Sequence, residues 1–325
     1  NRSVMTDTTR PKRYRMVSKY YKETYGEKVY KLPVALPLTC PNRDGSAGVG
    51  GCTFCGEIGA GYENRPAWMT VRMQLEENIA HIGPKYKAKK FIPYYQNFSN
   101  TYLNLDDFKS YIEQGCIDEA VGIAIATRPD CIADEYLEIL ADIRDCFHKD
   151  IYIELGLQTV NYDTLEKINR GHDLAQFIDA VLRIKRYGFN ITTHMIVNLP
   201  WDTMKDTIEG ARILSALGVD QVKLHALYIV KNTLMAKWYQ EGQFTLISAE
   251  EYADRVVNFV RHLHPDIVLQ RLVGRAPEDN TLFTNWSMGW WRVQDLIDDK
   301  LDELDAHQGD LCDYLNGKAV RKFID

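Results

Sequence analysis

The alternation of short apolar runs with longer amphipathic segments limits the fold of this chain more than any other feature. Runs such as VGIAIA and IYIELG have the length and β-branched content of buried strands, and a helical pattern follows each one. Six strand-then-helix units predict an α/β fold with a parallel sheet and right-handed crossovers. The pattern alone leaves a doubly wound sheet and an incomplete barrel open. Strands are predicted near 33–38, 91–95, 121–126, 151–156, 191–197 and 220–227, and helices near 70–82, 105–116, 133–146, 161–169, 174–187 and 203–217.

Polar or glycine-rich segments follow the predicted strands, one after each. In either kind of parallel α/β fold, ligands bind beyond the carboxyl ends of the strands. The common position of these segments therefore predicts one rim that carries the functional site. They are the cysteine loop at 39–55, YYQNFSNTY at 94–102, ATRPDC at 126–131, ELGLQT at 154–159, VNLPWDT at 197–203 and HALYIVKNT at 225–233.

Cysteine count and charge restrict the class of protein. Seven cysteines, an odd number without a secretory signal, argue against a disulfide framework and predict a reducing, cytoplasmic location. No stretch approaches the ~20 apolar residues of a membrane span, so no membrane partner is expected. The net charge of −6 disfavours nucleic acid, but residues 1–31 hold nine Lys and Arg against three acids, and residues 295–325 hold nine acids against four bases. This asymmetry permits an anionic partner on the basic face.

The loop after the first strand holds three cysteines, Cys40, Cys52 and Cys55, among several glycines. A structural zinc site needs four ligands, commonly in two pairs, and here only Cys52 and Cys55 form a pair. A [4Fe–4S] cluster normally takes four cysteines, so three would leave one iron free to bind another ligand. The glycines would let the loop wrap around such a cluster. The residues alone keep both kinds of site open.

The phrase CPNRDG…GGCTFC, with Phe54 before its last cysteine and six β/α units around it, resembles the radical S-adenosylmethionine (radical SAM) superfamily. Eleven residues separate Cys40 from Cys52, and this long spacing is similar to that of Elongator-like bacterial radical SAM proteins. The resemblance covers residues 20–285. It implies a partial (β/α)6 radical SAM barrel with small N- and C-terminal extensions. It also implies a [4Fe–4S] cluster and SAM as cofactors, a 5′-deoxyadenosyl radical, and an electron donor such as flavodoxin or ferredoxin.

The resemblance further implies which residues hold these cofactors. Cys40, Cys52 and Cys55 would each bind one iron, and the fourth iron would chelate the amino and carboxylate groups of SAM. Segments that match the family's SAM-binding elements would supply the remaining contacts, although here polar residues replace several of the family's glycines. These contacts are Phe54 near the adenine, Gln96, Asn97 and Asn100 in YYQNFSNTY, Glu154 and Gln158 in ELGLQT, Arg170 in NRGHD and Asn198 in VNLPWD.

Three further residues are candidates for catalysis. Lys223 and His225 share one face of a predicted strand with Gln221, because alternate residues of a strand point to the same side. If that face is the barrel interior, both would contact substrate or SAM. Arg271 could anchor a carboxylate or phosphate through paired hydrogen bonds, and a structural ion pair is the alternative.

The Elongator-like motifs imply transfer RNA (tRNA) as the substrate, in particular its wobble uridine. The residues after 285 are too few for the acetyltransferase domain of Elongator, so we expect a different reaction. A candidate is hydrogen abstraction from a 5-carboxymethylaminomethyl group, followed by loss of the carboxymethyl unit to leave 5-aminomethyluridine. The basic stretch at 1–31 could follow the phosphates of the RNA.

Two other functions stay open. ELGLQT and NRGHD also resemble coproporphyrinogen-type oxidases, which suggests a radical SAM enzyme with a small-molecule or porphyrin-like substrate. A zinc-stabilised binding module without enzymatic activity is the second alternative. We expect a basic N-terminal extension at 1–30, a radical SAM domain at 31–285 and a C-terminal helical appendage at 286–325.

Overall fold

The computed structural model describes residues 10–38, 52, 69–96, 99–275 and 278–325. Four predicted site residues, Cys40, Phe54, Cys55 and Asn97, lie outside this part of the chain. The main element is a seven-stranded parallel sheet. Its strands are β1 (Val29–Val34), β2 (Lys90–Tyr95), β3 (Gly122–Thr127), β4 (Asp150–Gln158), β5 (Asn190–Ile196), β6 (Gln221–His225) and β8 (Val268–Arg271); β7 (Ile229–Val230) pairs separately with β9 (Thr281–Phe283).

The strands of the large sheet follow one another in chain order, β1-β2-β3-β4-β5-β6-β8. A doubly wound sheet reverses its order at a switch point, and this sheet has none, so right-handed crossovers place the connecting helices on one face. The predicted α/β partial barrel is therefore confirmed. The helices are α1 (Val17–Tyr25), α2 (Val71–Tyr86), α3 (Leu105–Glu113), α4 (Asp134–Phe147), α5 (Tyr162–Lys167), α6 (Leu174–Arg186), α7 (Met204–Leu217), α8 (Leu234–Gln240), α9 (Ala249–His262) and α10 (Trp290–Glu303).

Two strand predictions differ from the structure. The first strand, predicted at 33–38, ends at Val34. Ala35 and Leu36 are buried, but a side chain rather than a neighbouring strand satisfies the backbone there, because Gln74 accepts from Ala35 N and donates to Ala35 O at 2.8 Å each. The sheet also has a seventh strand beyond the six predicted ones, because Val268–Arg271 pairs with β6.

Helix α7 begins and ends at residues that favour helix ends. Thr203 is its N-cap and forms a capping box with Asp206, and Gly218 ends the helix with a φ of 66°. This helix follows the rim segment VNLPWDT, so its start fixes the direction in which that segment leaves β5.

The two faces of the sheet differ in chemistry because side chains alternate along each strand. Leu32, Ile123, Ile153 and Val222 face the helices and belong to one large apolar core. The opposite face is the interior of the half-barrel, and it carries several ionisable side chains. The side chains on this interior face include Lys31, Tyr94, Tyr152, Glu154, His194 and Lys223.

Helix α1 closes the interior at the amino ends of the strands. Tyr21 packs in a small buried cluster with Ile92 and Tyr152 of the inner face. The hydroxyl of Tyr25 donates to Asp150 Oδ2 and is also hydrogen-bonded to the hydroxyl of Tyr152. Substrate access to the interior is therefore expected from the carboxyl ends of the strands.

The basic N-terminal segment packs on the acidic C-terminal helix α10. Arg13 forms ion pairs with Asp302 and Asp305, and Arg10 pairs with Asp302 and Asp299. Protein carboxylates thus engage both arginines, and the suggestion that residues 1–31 follow RNA phosphates stays a prediction. Within the described residues, no helix is both long and apolar enough to cross a membrane.

Candidate active site

Arg170 connects the cysteine loop to the carboxyl end of β4. Its Nη1 donates to Cys52 Sγ at 3.4 Å, its Nη2 donates to Gly156 O at 2.7 Å, and its Nε donates to His172 Nε2 at 2.9 Å. Cys52 is buried. Three hydrogen bonds thus fix a guanidinium beside one of the motif cysteines, and donors to a cysteine sulfur are a known means of tuning a metal cluster.

His172 and Gly156 make this position of Arg170 possible. Burial and the charge of Arg170 lower the pKa of His172 to about 3, so the ring is neutral and can accept from the guanidinium. A Cβ on Gly156 would lie 2.6 Å from Arg170 Nη2 and 3.0 Å from Gln158 Nε2. Glycine is therefore the residue that leaves room for both side chains.

Gln158 lies at an irregularity of β4, where Gly156 pairs with His194 and Gln158 pairs with Met195. Its φ of 75° is unusual for a residue other than glycine. Such bulges redirect side chains at the ends of strands, frequently next to functional sites. The bulge places the Gln158 amide beside Gly156, close to Arg170.

Three buried polar atoms at the rim have no hydrogen-bond partner among the described residues: Asn100 Oδ1, Arg128 Nη1 and Asn198 Nδ2. The other atoms of these groups are bonded. Asn100 Nδ2 donates to Tyr95 O and Ala126 O, and Asn198 Oδ1 accepts from the backbone of Leu227. A buried polar atom without a partner costs about 1–3 kcal/mol, so the rim is suited to a polar ligand. The amides of Asn100 and Asn198 therefore fit the SAM contacts predicted for them.

Glu154 is the centre of the interior. Its carboxylate accepts from Lys31 at 2.5 Å, from His194 at 2.5 Å and from Tyr94 at 3.0 Å, and Lys223 Nζ lies 3.9 Å away. Burial alone raises the pKa of Glu154, but the charges of both lysines and the His194 hydrogen bond hold it well below its usual range. The SAM contact predicted for Glu154 stays a proposal, and both of its oxygens already accept hydrogen bonds from the protein.

His194 and His225 form a hydrogen-bonded chain that begins at the Glu154 carboxylate. Burial and the charge of Lys223 lower the pKa of His194 to about 4, although Glu154 acts in the opposite direction. Burial and the charge of Arg271 hold the pKa of His225 well below its usual value. Both rings are neutral near pH 7, so His225 Nε2 donates to His194 Nδ1 at 3.4 Å and His194 Nε2 donates to Glu154.

Arg271 reaches the interior through an irregularity of β8. Val222 pairs with Leu269, whereas the next residue of β6, Lys223, pairs with Arg271, so Gln270 is an extra residue. Gln270 Nε2 donates to Gln221 Oε1 at 2.9 Å, which places Gln270 on the inner face. A bulge lets two successive side chains approach the same face, and Arg271 acts electrostatically on Tyr94 and His225.

The structure brings together Lys223, His225 and Arg271 in the interior, and Cys52, Gln158 and Arg170 at the rim. Gln96 directly follows β2, and its backbone N–H donates to Val34 O. Three residues of the interior are absent from the predicted site: Lys31, Tyr94 and Gln270. Period-two alternation from Val29 would have placed Lys31 on a single strand face with Pro33, but no sequence signal pairs it with Glu154. The residues that line the two parts of the site are Cys52, Gln96, Asn100, Gln158, Arg170 and Asn198 at the rim, and Lys31, Tyr94, Glu154, His194, Lys223, His225, Gln270 and Arg271 in the interior.

Comparisons with known proteins agree with this architecture. Residues 41–214 match the Radical SAM superfamily, and residues 219–303 match the Radical_SAM C-terminal domain. YtqA of Bacillus subtilis is 32% identical over 312 residues, which are 95% of this chain and 96% of that protein. A tRNA uridine(34) acetyltransferase of Dehalococcoides mccartyi is 24% identical over 145 residues, 44% of this chain and 30% of that protein.

Among solved structures, archaeal Elp3 of Methanocaldococcus infernus superposes with a TM-score of 0.66 at 13% identity. The match covers 86% of this chain and 64% of that one, and at this identity it supports the fold alone. The matching family models identify the class of this protein as a radical SAM enzyme. This chain belongs to the radical SAM superfamily and is Elongator-like. Family membership sets aside the zinc-stabilised, non-enzymatic alternative.

Proposed function

We propose that this enzyme modifies the side chain of the wobble uridine of tRNA. We place the active site at the carboxyl rim because of the contact between Arg170 and Cys52. This contact joins a motif cysteine to the carboxyl end of β4. The match to a tRNA uridine(34) acetyltransferase supports the choice of tRNA, because that relative acts by name on uridine 34.

Residues at the rim would hold the cofactors. Cys52 would bind one iron of a [4Fe–4S] cluster together with Cys40 and Cys55, which lie outside the described residues. Phe54 and Asn97, also outside them, stay proposed SAM contacts. Arg170 would donate a hydrogen bond to the cluster ligand. The SAM contacts proposed within the described residues are Gln96, Asn100, Glu154, Gln158 and Asn198.

The candidate substrate is a 5-carboxymethylaminomethyl group. Its methylene between nitrogen and carboxylate is a weak C–H donor, because both neighbours stabilise the resulting radical. Loss of one hydrogen atom, one electron and one proton would turn the amine into an imine, and water would hydrolyse the imine to 5-aminomethyluridine and glyoxylate. SAM and the cluster, when bound, would supply the radical that removes the hydrogen atom and an acceptor for the electron.

The described residues have two tasks in this reaction. The interior must exclude bulk water while it holds a polar side chain, and α1 closes its amino end for that purpose. The neutral His194–His225 pair can accept or release a proton at the amine nitrogen, since neither ring is protonated near pH 7. Lys223, His225 and Arg271 are the proposed substrate contacts.

Anaerobic reconstitution with iron, sulfide, SAM and dithionite tests this proposal. Bulk tRNA from a strain that lacks the protein is the substrate, and mass spectrometry follows its nucleosides. We expect 5-carboxymethylaminomethyluridine to decrease, 5-aminomethyluridine to increase, and glyoxylate to match 5′-deoxyadenosine in amount. Cys52→Ala is the control without a complete cluster. A flavodoxin or ferredoxin should replace dithionite as electron donor.

One outcome would contradict the proposal. If 5′-deoxyadenosine forms but the wobble uridines stay unchanged, tRNA is the wrong substrate. The small-molecule or porphyrin-like alternative then takes its place.

A further inference from the structure

The rim segment that follows β3 contains a buried ion pair. Arg128 Nε and Nη2 donate to the two carboxylate oxygens of Asp130, at 2.9 Å each, and only 4% of Arg128 is exposed. These two parallel hydrogen bonds fix the plane of the guanidinium. They leave its third nitrogen, Nη1, buried and without a hydrogen-bond partner among the described residues. A buried N–H without an acceptor is costly, so this nitrogen is suited to donate to a bound group.

Arg128 lies beside the contact between Arg170 and Cys52. Strand β3 is paired with β4 up to its last residue, so Arg128 lies next to the backbone of Gly156, whose carbonyl accepts from Arg170. The Arg128 guanidinium also acts electrostatically on Cys52 and on His172, the ring that accepts from Arg170. Two guanidinium groups, on the segments after β3 and β4, therefore approach the same motif cysteine.

The sulfurs of an iron–sulfur cluster are acceptors that suit this position. The reduction potential of such a cluster depends on its charge and on hydrogen bonds to its sulfurs, because reduction adds one negative charge that a donor stabilises. Arg170 already donates to Cys52 Sγ. The Asp130 carboxylate neutralises most of the charge of Arg128, so Arg128 offers mainly a fixed N–H and only part of a positive charge.

We propose that Arg128 Nη1 donates to a sulfur of the [4Fe–4S] site at Cys52 and raises the reduction potential of the cluster, while Asp130 limits this effect. The inference rests on the proposed function for the presence of the cluster but not for the substrate. SAM carries a carboxylate that offers the same N–H a different acceptor. The potential is therefore measured in the absence of SAM.

The test changes each half of the ion pair. Arg128→Met removes the donor, and Asp130→Asn leaves the donor with an uncompensated charge. The matched controls are Arg183→Met and Asp179→Asn, because Arg183 Nε donates to the exposed Asp179 at 3.0 Å on the outer side of α6. Each protein is reconstituted with iron and sulfide, and a mediated electrochemical titration followed by electron paramagnetic resonance gives its potential.

The two site variants should shift the potential in opposite directions. Arg128→Met should make reduction about tenfold less favourable, a shift of about 59 mV to more negative potential for one electron. Asp130→Asn should shift it to more positive potential, and the two controls should leave it unchanged. Unchanged potentials in both site variants would overturn the proposal. So would weaker SAM binding by Arg128→Met at an unchanged potential, which would give the N–H to the SAM carboxylate.

Loss of one half of a buried pair can itself prevent cluster loading. The double variant Arg128→Met/Asp130→Leu removes both charges together and should show a negative shift like that of Arg128→Met. An unchanged potential in this variant would refute the proposal, and a folded double variant without iron would make the pair only a structural support.

Iron and sulfide analysis of the wild type separates this inference from the proposed function. A wild-type protein that takes up no cluster refutes the proposed cluster site itself. A loaded wild type whose potential equals that of the site variants refutes only the role of Arg128. RNA takes no part in these measurements, so their outcome is independent of the tRNA proposal.

Discussion

At the scale of single residues, the rim depends on the missing side chain of Gly156. Arg170 occupies the space that a Cβ would need, and the same guanidinium bonds Gly156 O, His172 and Cys52. The carbonyl of Gly156 accepts from Arg170, so the residue both makes room for the arginine and holds it. An added methyl group at Gly156 therefore acts on Cys52 through Arg170.

Gly156→Ala should displace Arg170 and weaken the cluster site. We expect a loss of about 1–3 kcal/mol in the free energy of unfolding, as for an overpacked core, and a lower iron content after reconstitution. Urea denaturation and iron analysis measure the two effects. Gly83→Ala is the control, because a Cβ there meets nothing closer than 3.8 Å, and it should stabilise the helix by up to about 1 kcal/mol. Normal iron content in Gly156→Ala would show that Arg170 does not support the cysteine loop.

Asp202, after β5, makes the protein's stability depend on pH. Burial raises its pKa from 3.8 to about 6, although Thr164 donates to its Oδ1 at 2.7 Å. Between about pH 4 and pH 6 the folded state keeps a proton that the unfolded state has lost, so this group lowers stability as pH rises through that window. The whole effect is at most about 3 kcal/mol, since one pKa unit corresponds to about 1.4 kcal/mol.

Asp202→Asn should remove this dependence. The variant minus wild-type difference in the free energy of unfolding is expected to increase from pH 4 to pH 6.5, and then to stay constant. The contribution of His194 to the pH dependence of stability cancels in this difference, because both proteins contain His194. Its lowered pKa makes stability rise with pH over the same range. Denaturant titrations of both proteins at several pH values measure this difference. A flat difference would mean that Asp202 titrates normally.

At the scale of elements, alternation along the chain predicted most of the sheet and the position of its functional rim. The features that this alternation does not predict depend on contacts between segments that are distant in sequence. The first strand was placed too late because Ala35 and Leu36 are as apolar as a strand, and only Gln74 reveals that they form a loop. The irregularities in β4 and β8 leave no trace in an apolar pattern, so the approach of Arg271 to Lys223 could not be derived from the sequence.

Helix α1 is the element that closes the interior, and the Tyr25 hydroxyl ties it to β4. Tyr25→Phe should remove two hydrogen bonds, to Asp150 and Tyr152, and leave the Tyr152 hydroxyl with its bond to Tyr20. We expect a loss of about 1–2 kcal/mol in the free energy of unfolding, measured by urea denaturation. Tyr162→Phe is the matched control, because Tyr162 is exposed on α5. Equal stability of the two variants would show that α1 is held by its apolar contacts alone.

At the scale of the whole molecule, the two ends of the chain associate. The hydroxyl of Tyr14 donates to Asp298 Oδ1 at 2.9 Å, and Lys12 bonds the same carboxylate at 3.0 Å. The basic and acidic extensions that the sequence sets apart thus neutralise each other where they meet. Arg10, Lys12 and Arg13 are therefore partly neutralised by carboxylates of the protein itself.

A further basic run, Lys85, Lys87, Lys89 and Lys90, is badly placed for a substrate that enters at the rim. It spans the end of α2 and the start of β2, so it lies at the amino ends of the strands, opposite the site. Lys231 follows β6 and β7 instead, on the side of the rim, and it is exposed. Because RNA affinity at such contacts is electrostatic, position relative to the rim decides which lysine matters.

If tRNA enters at the rim as proposed, we expect a combined change of Lys85, Lys87 and Lys89 to Gln to leave the affinity for tRNA within about twofold of wild type at 150 mM salt, because these lysines lie at the opposite end of the strands. Lys231→Gln should instead weaken binding and reduce the slope of log affinity against log salt by about 0.7–0.9, the value for one phosphate contact. Filter binding across a salt series measures both variants. If the triple variant shows the reduced slope and Lys231→Gln does not, tRNA approaches the amino ends of the strands, and the substrate route through the carboxyl rim is wrong.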